Sequence, residues 1–182
     1  PHFLTIGGGY SPTGNQVSLE KNIFFFKRVL NRLGLEDAPH HVLFATVHDR
    51  VAAGCTVDVE EGNYQEYSTF FFEAIHGQTR LGKPVKRPDY DGDNRVNYDE
   101  AHAYALLTSN SIDISTRTSG ALLRKFSRLP GKDDGDKDLW SINHPYSELI
   151  EQAIPSDRAI LGGLSVKLEL TGEDRVTQAR DL

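Results

Sequence analysis

His2-Phe-Leu-Thr-Ile-Gly-Gly-Gly9, Ser18-Leu-Glu-Lys-Asn-Ile-Phe-Phe-Phe-Lys-Arg-Val-Leu-Asn-Arg-Leu-Gly34 and Val42-Leu-Phe-Ala-Thr-Val47 follow one another at the start of the chain and set its fold class. His2 to Ile6 reads as a short apolar strand stopped by three glycines, followed by a polar loop from Tyr10 to Gln16. Leu19, Ile23, Phe26, Leu30 and Leu33 then recur at alternating steps of four and three. That spacing puts five apolar side chains on one helical face, with Ser18 as N-cap and Gly34 at the stop. Val42 to Val47 is a continuous apolar run of strand length, the pattern of a strand covered on both faces of a parallel sheet. Strand, helix, strand in this order is a βαβ unit, which predicts a mainly parallel sheet with helices packed on it. The triple glycine is no phosphate loop: it lacks the G-x-G-x-x-G spacing and a following lysine, and Pro12 interrupts the helix start.

Downstream, Val51 to Val59 is expected as another strand. A helix capped by Ser68 should run to His76, with Gly77 behind it; Phe70, Phe71, Phe72, Ala74 and Ile75 make it apolar on more than one face. Residues 77–88 carry two glycines and two prolines and cannot continue it. Ala101, Tyr104, Ala105 and Leu107 mark a third helix, and Thr118 or Ser119 opens a fourth through Leu122, Leu123 and Phe126. Pro130 to Asp138 is a charged loop. Its Asp134, Asp136 and Asp138 alternate as metal ligands can, but Leu139 and Pro145 stand where the turn residue and the closing glutamate belong, so a solvated linker is expected. Leu164, Val166, Leu168 and Leu170 alternate with other residues as in a half-exposed strand. The expected division is an α/β core over residues 1–128 and a C-terminal extension over 129–182.

The chain's 182 residues suffice for one domain with a full core and leave room for an appendage, and 38% hydrophobic against 25% charged residues is a globular balance. A net charge of −6 argues against nucleic acid as a partner, and no basic patch or apolar run of about 20 residues suggests a membrane. The single cysteine, Cys55, excludes an internal disulfide. A start at Pro1 and the lack of methionine fit a processed product or part of a longer gene product.

The densest local signal is Asp89-Tyr-Asp91-Gly-Asp93-Asn94-Arg95-Val96-Asn97-Tyr-Asp-Glu100. It fits a twelve-residue calcium loop position by position: Asp89, Asp91 and Asp93 as carboxylate ligands, the Arg95 carbonyl, Asn97 directly or through water, and Glu100 as the closing bidentate carboxylate. Val96 is the apolar residue expected between the seventh and ninth positions. Asn94 departs from the usual sixth-position glycine, yet asparagine tolerates positive φ better than most residues. Oxygen ligands at about 2.3–2.6 Å around a Ca2+ ion are expected. No helix can precede the loop, so it is a lone EF-hand-like loop feeding one exiting helix, better suited to a structural ion than to a switch.

The opening Phe3-Leu-Thr-Ile-Gly-Gly-Gly, the helix from Ser18 to Leu33 and the strand from Val42 to Ala45 resemble the start of a bacterial caspase-like cysteine peptidase domain, of the metacaspase- or legumain-related kind. Ala52-Ala-Gly-Cys55-Thr-Val-Asp58, then Tyr67-Ser68 and a phenylalanine-rich helix, resemble the strand and helix that follow the nucleophile in that family, and the acidic turn before a helix is also similar. The similarity runs over residues 2–47 and 51–127 as short blocks. It implies a three-layer α-β-α sandwich and hydrolysis of peptide bonds by a cysteine thiolate with a histidine partner. It also implies that Asp58 lines a specificity pocket and pairs with a basic residue, Arg or Lys, of a peptide or protein substrate.

The family places two catalytic strands between the blocks that here stand either side of Thr46–Arg50, so the middle of the domain is expected to be missing near residues 45–50. No catalytic residue is assigned. His76-Gly77 and Cys55 mimic the family's motifs in inverted order, His48 lies too far along an extended segment, and Cys55 reads as a small buried residue. No histidine stands at zinc-ligand spacing with a cysteine pair. Two functions follow as expectations: a calcium-binding endopeptidase domain selective for basic residues, active only in a chain that carries the His/Cys dyad, or a catalytically inactive caspase-like module that binds basic peptides. A calcium module of the carbohydrate- or scaffold-associated kind is a third reading, disfavoured by the βαβ start.

Overall fold

The computed structural model describes residues 3–7, 28, 31–34, 40–44, 66–111, 115–117 and 143–182. The chain divides into two compact units, Pro1–Thr69 with Ser109–Arg128 and Phe70–Thr108 with Leu129–Leu182. The expectations for 51–59, 118–126 and 130–138, and for His48, Cys55, Asp58, Asp134, Asp136 and Asp138, lie outside the described residues.

In the first unit β1 (Phe3–Gly7) and β2 (His40–Phe44) pair in parallel, with Phe3 opposite His40 and Gly7 opposite Phe44. Residues 28, 31 and 32, between them in sequence, are helical. Gly34 has φ +66° and donates its N–H to the Asn31 carbonyl at 3.1 Å, closing that turn. Leu33 is 63% exposed, contrary to its expected place on the buried face. It sits in the closing turn beside Gly34, where the helical periodicity has already ended. Leu19, Ile23, Phe26 and Leu30 lie outside the described residues. A two-residue strand, β3 (Thr116–Arg117), pairs antiparallel with the other edge of β2, Leu43 opposite Arg117 and Phe44 opposite Thr116. The order is therefore β1-β2-β3, and Leu43 on the central strand is buried.

Helix α1 (Tyr67–His76) begins in the first unit and continues into the second. It starts one residue before the expected cap: Thr69 donates its N–H to the Glu66 carbonyl (3.0 Å) and its hydroxyl to Glu66 Oε2 (3.1 Å), so Glu66 organises the first turn in place of Ser68. Phe70, Phe71 and Ala74 are buried while Phe72 is half exposed and stacks on His76, ring centroids 6.1 Å apart. Three consecutive phenylalanines span too wide an arc for all to be enclosed, so the helix buries one side rather than several.

The second unit continues with α2 (Tyr98–Thr108), α3 (Tyr146–Gln152), α4 (Pro155–Lys167) and α5 (Arg175–Arg180). Helix α2 is enclosed: Ala101, Ala103 and Ala105 are fully buried and His102 nearly so. Such small side chains let neighbouring backbone come close, and α4 does so at Gly163, where a Cβ would collide with Leu107 Cδ2. Because α2 packs on α4, Phe70–Thr108 groups with Leu129–Leu182.

Helix α4 corrects the strand expected through Leu164 and Val166. Pro155 occupies its first turn, where a missing N–H costs nothing. At its end Glu169 N–H meets the Val166 carbonyl (3.2 Å) and Leu170 N–H the Ser165 carbonyl (2.8 Å), with Glu169 at φ +55°. That is a Schellman closure, usually built on glycine. Among the described residues no helix is long and apolar enough to cross a membrane.

Candidate metal centre

A tight connector delivers the acidic loop. Gly77 ends α1 at φ +72°, its N–H on the Glu73 carbonyl at 2.8 Å. The chain then doubles back, Thr79 N–H to the Lys83 carbonyl (2.8 Å) and Val85 N–H to the Gly77 carbonyl (3.1 Å), so residues 77–88 form a small turn structure with no helix. Asp89 follows directly, its N–H bonded to the Arg87 carbonyl at 3.0 Å.

Within the loop, each early carboxylate gathers amides from the turn ahead of it. Asp89 accepts from Gly92 N–H (2.7 Å) on Oδ1 and from Asn94 N–H (3.0 Å) on Oδ2. Asp91 Oδ1 accepts from Asp93 N–H at 3.1 Å, and Asp93 Oδ1 from Arg95 N–H at 2.7 Å. These bonds curl the chain until one carboxylate oxygen from each of Asp89, Asp91 and Asp93 lies within 4.8 Å of the others. The curl requires positive φ at Gly92 (+79°) and at Asn94 (+64°), so Asn94 does the work of the expected glycine. Three anions this close repel one another, and a cation among them would offset that repulsion.

Glu100 holds the other side. It is 1% exposed, at the first turn of α2, and its carboxylate is engaged on both oxygens. Oε1 accepts from Tyr90 N–H (2.6 Å) and Asp91 N–H (3.2 Å), and Oε2 from Asn97 N–H (3.0 Å). Asn97 Oδ1 in turn accepts from Asp99 and Glu100 N–H, each at 3.0 Å. Asn97 and Glu100 thus form a reciprocal capping box at the start of α2. The ligand roles expected for both from the loop spacing leave this capping box out. The N-x-x-E spacing was the available signal.

Behind the loop lies a patch of aromatic and acidic groups. Burial above all, then the charge of Glu100 and the nearby Tyr104, pushes the Tyr90 phenol up. Burial and the charge of Glu73 push up Tyr104, against a lowering hydrogen bond with Thr108. Burial raises the Glu73 carboxyl, partly offset by the Arg80 backbone amide. Phe71 packs against Tyr98 beside them, centroids 6.3 Å apart.

The three aspartates fit a hard divalent cation: all oxygen donors, convergent, and at least two of them exposed. Arg95 and Asn97 lie on the same turn. Glu100 fits only by sharing or giving up amide bonds it now makes. Among the described histidines, His102 is buried in α2, His76 closes α1, and His144 pairs with Glu148 at 3.0 Å; His40 and His41 lie on β2. Searches of protein-family models, curated proteins and solved structures found no significant match to this chain.

Proposed function

We propose that Asp89–Glu100 binds one calcium ion, held by Asp89, Asp91, Asp93, the Arg95 carbonyl, Asn97 and Glu100, and that the ion stiffens the junction between the 77–88 connector and α2. The observation that carries this reading is the approach of three carboxylates to within 4.8 Å at the mouth of a buried helix. The ion would supply charge compensation and loop rigidity. The chain's own residues do the rest: Gly92 and Asn94 turn the backbone, the amides orient the aspartates, and Asn97 caps α2. Terbium, a calcium mimic excited through nearby tyrosines, tests binding directly. Luminescence should saturate at one ion per chain, be displaced by calcium, and weaken strongly in Asp91→Asn. Unsaturated, non-displaceable luminescence would sink the proposal.

The wider reading is that this calcium loop belongs to a caspase-like cysteine endopeptidase domain of three-layer α-β-α type, acting on peptides or proteins at basic residues through Asp58. The parallel β1–β2 pair and the short sequence blocks support it. The 182-residue chain itself is expected to show no turnover of basic fluorogenic peptides, since no cysteine follows a His-Gly in the order the chemistry needs. A gene product carrying the dyad should cleave after Arg or Lys and lose that preference in Asp58→Ala. Activity of the present chain abolished by Cys55→Ala would overturn this. Inactivity of both would leave the alternative, a catalytically inactive binding module.

A further inference from the structure

The segment after α4 crosses the start of α3, fastened there by Glu173 and Arg175. Helix α3 has only seven residues, too short to stand alone, and Pro145 at its N-cap offers no side-chain bond. Its first amides are satisfied from one residue far downstream: Tyr146 N–H by the Glu173 carbonyl (3.0 Å) and Ser147 N–H by Glu173 Oε2 (2.9 Å). The Arg175 guanidinium lies 3.9 Å above the Tyr146 ring and so grips the same turn. The crossing segment is braced internally, Arg175 Nε on the Gly172 carbonyl (2.9 Å) and Gln178 Nε2 on the Thr171 carbonyl (2.8 Å) and Asp174 Oδ1 (2.7 Å). It leaves α4 through two left-handed residues, Glu169 and Gly172.

We propose that residues 170–180 form a hinged strap with an acid-sensitive latch: the Glu173 carboxylate helps hold the strap on α3 beside the Glu173 backbone bond and the Arg175–Tyr146 contact, and its protonation loosens the strap and the first turn of α3 while α2 stays folded. The charged groups near the latch are Arg175 on the strap itself, Asp174 engaged by Gln178, and on the α3 side His144 and Glu148, paired with each other. The Ser147 amide and hydroxyl, with a smaller contribution from Arg175, hold the Glu173 carboxyl below the ordinary glutamate range. A carboxyl depressed in the folded state stabilises the latch above its unfolded value, and that contribution is lost as pH falls through the depressed value.

Hydrogen exchange on the whole chain, corrected for intrinsic rates, tests the proposal. Glu173→Gln at neutral pH should speed exchange at Tyr146 and Ser147 by about tenfold, leaving Ala101, Ala103 and Ala105 as in the wild type. The wild type should reach the same local exchange in acid, and His144→Ala should release as the wild type does. Undiminished protection of Ser147 in Glu173→Gln overturns the latch. So does acid release that disappears in His144→Ala, or opening of α2 at the same pH as α3.

Discussion

Glu100 stands where two local rules ask for the same residue, and a sequence does not separate them. A calcium loop wants a carboxylate at its twelfth position, and a helix beginning at Tyr98 wants one three residues after its N-cap. Both requirements fall on Glu100, so the acidic spacing was legible while its amide bonds were not. Glu100→Gln keeps the shape but replaces charge-assisted bonds with neutral ones. It should cost about 1–3 kcal/mol by urea unfolding even with calcium removed. No loss under those conditions would mean that the carboxylate contributes only through an ion. Glu169 and Asn94 make a second contrast, at φ +55° and +64°. Asparagine adopts that region at lower cost than glutamate, so Glu169→Gly should stabilise by about 1 kcal/mol and Asn94→Gly by less, both read as shifts in unfolding midpoint.

Among the elements, α4 explains where the sequence pattern failed. Leu164, Val166, Leu168 and Leu170 alternate as a strand would, but Pro155 at the first helical turn and Asp157 behind it were the start signals of a helix. The stop was illegible because the left-handed closing residue is Glu169 rather than glycine. Neither could the pattern show that Gly162 and Gly163 differ, since that depends on α2. A Cβ at Gly163 meets Leu107, whereas at Gly162 the nearest atom is Tyr146 Oη at 4.0 Å. Gly163→Ala should therefore destabilise by about 1–3 kcal/mol, and Gly162→Ala should be neutral or stabilising by up to about 1 kcal/mol. Equal effects in thermal unfolding would contradict the α2–α4 packing. The helix after the loop was legible because Ala101, Tyr104, Ala105 and Leu107 are local signals; its partner was not, because the contact joins residues far apart in sequence.

For the molecule as a whole, the β1–β2 order followed from short-range apolar runs, while β3, two residues long and antiparallel, carried too little sequence to be read. The tyrosines behind the loop set a pH limit. Tyr90 and Tyr104 both have phenols raised by burial, so the stability they confer is complete below the ordinary tyrosine value and lost as pH rises through the raised ones. Alkaline unfolding followed by circular dichroism should move to higher pH in Tyr104→Phe, and an unchanged midpoint would remove that residue from the transition. The central claim is that Asp89–Glu100 is a calcium site whose ion supports the fold. It is tested most directly by the melting temperature of the chain in chelator and in excess calcium. The account predicts a clear rise with calcium, growing with its concentration and nearly absent in Asp91→Asn. Identical melting temperatures in calcium and chelator would contradict it.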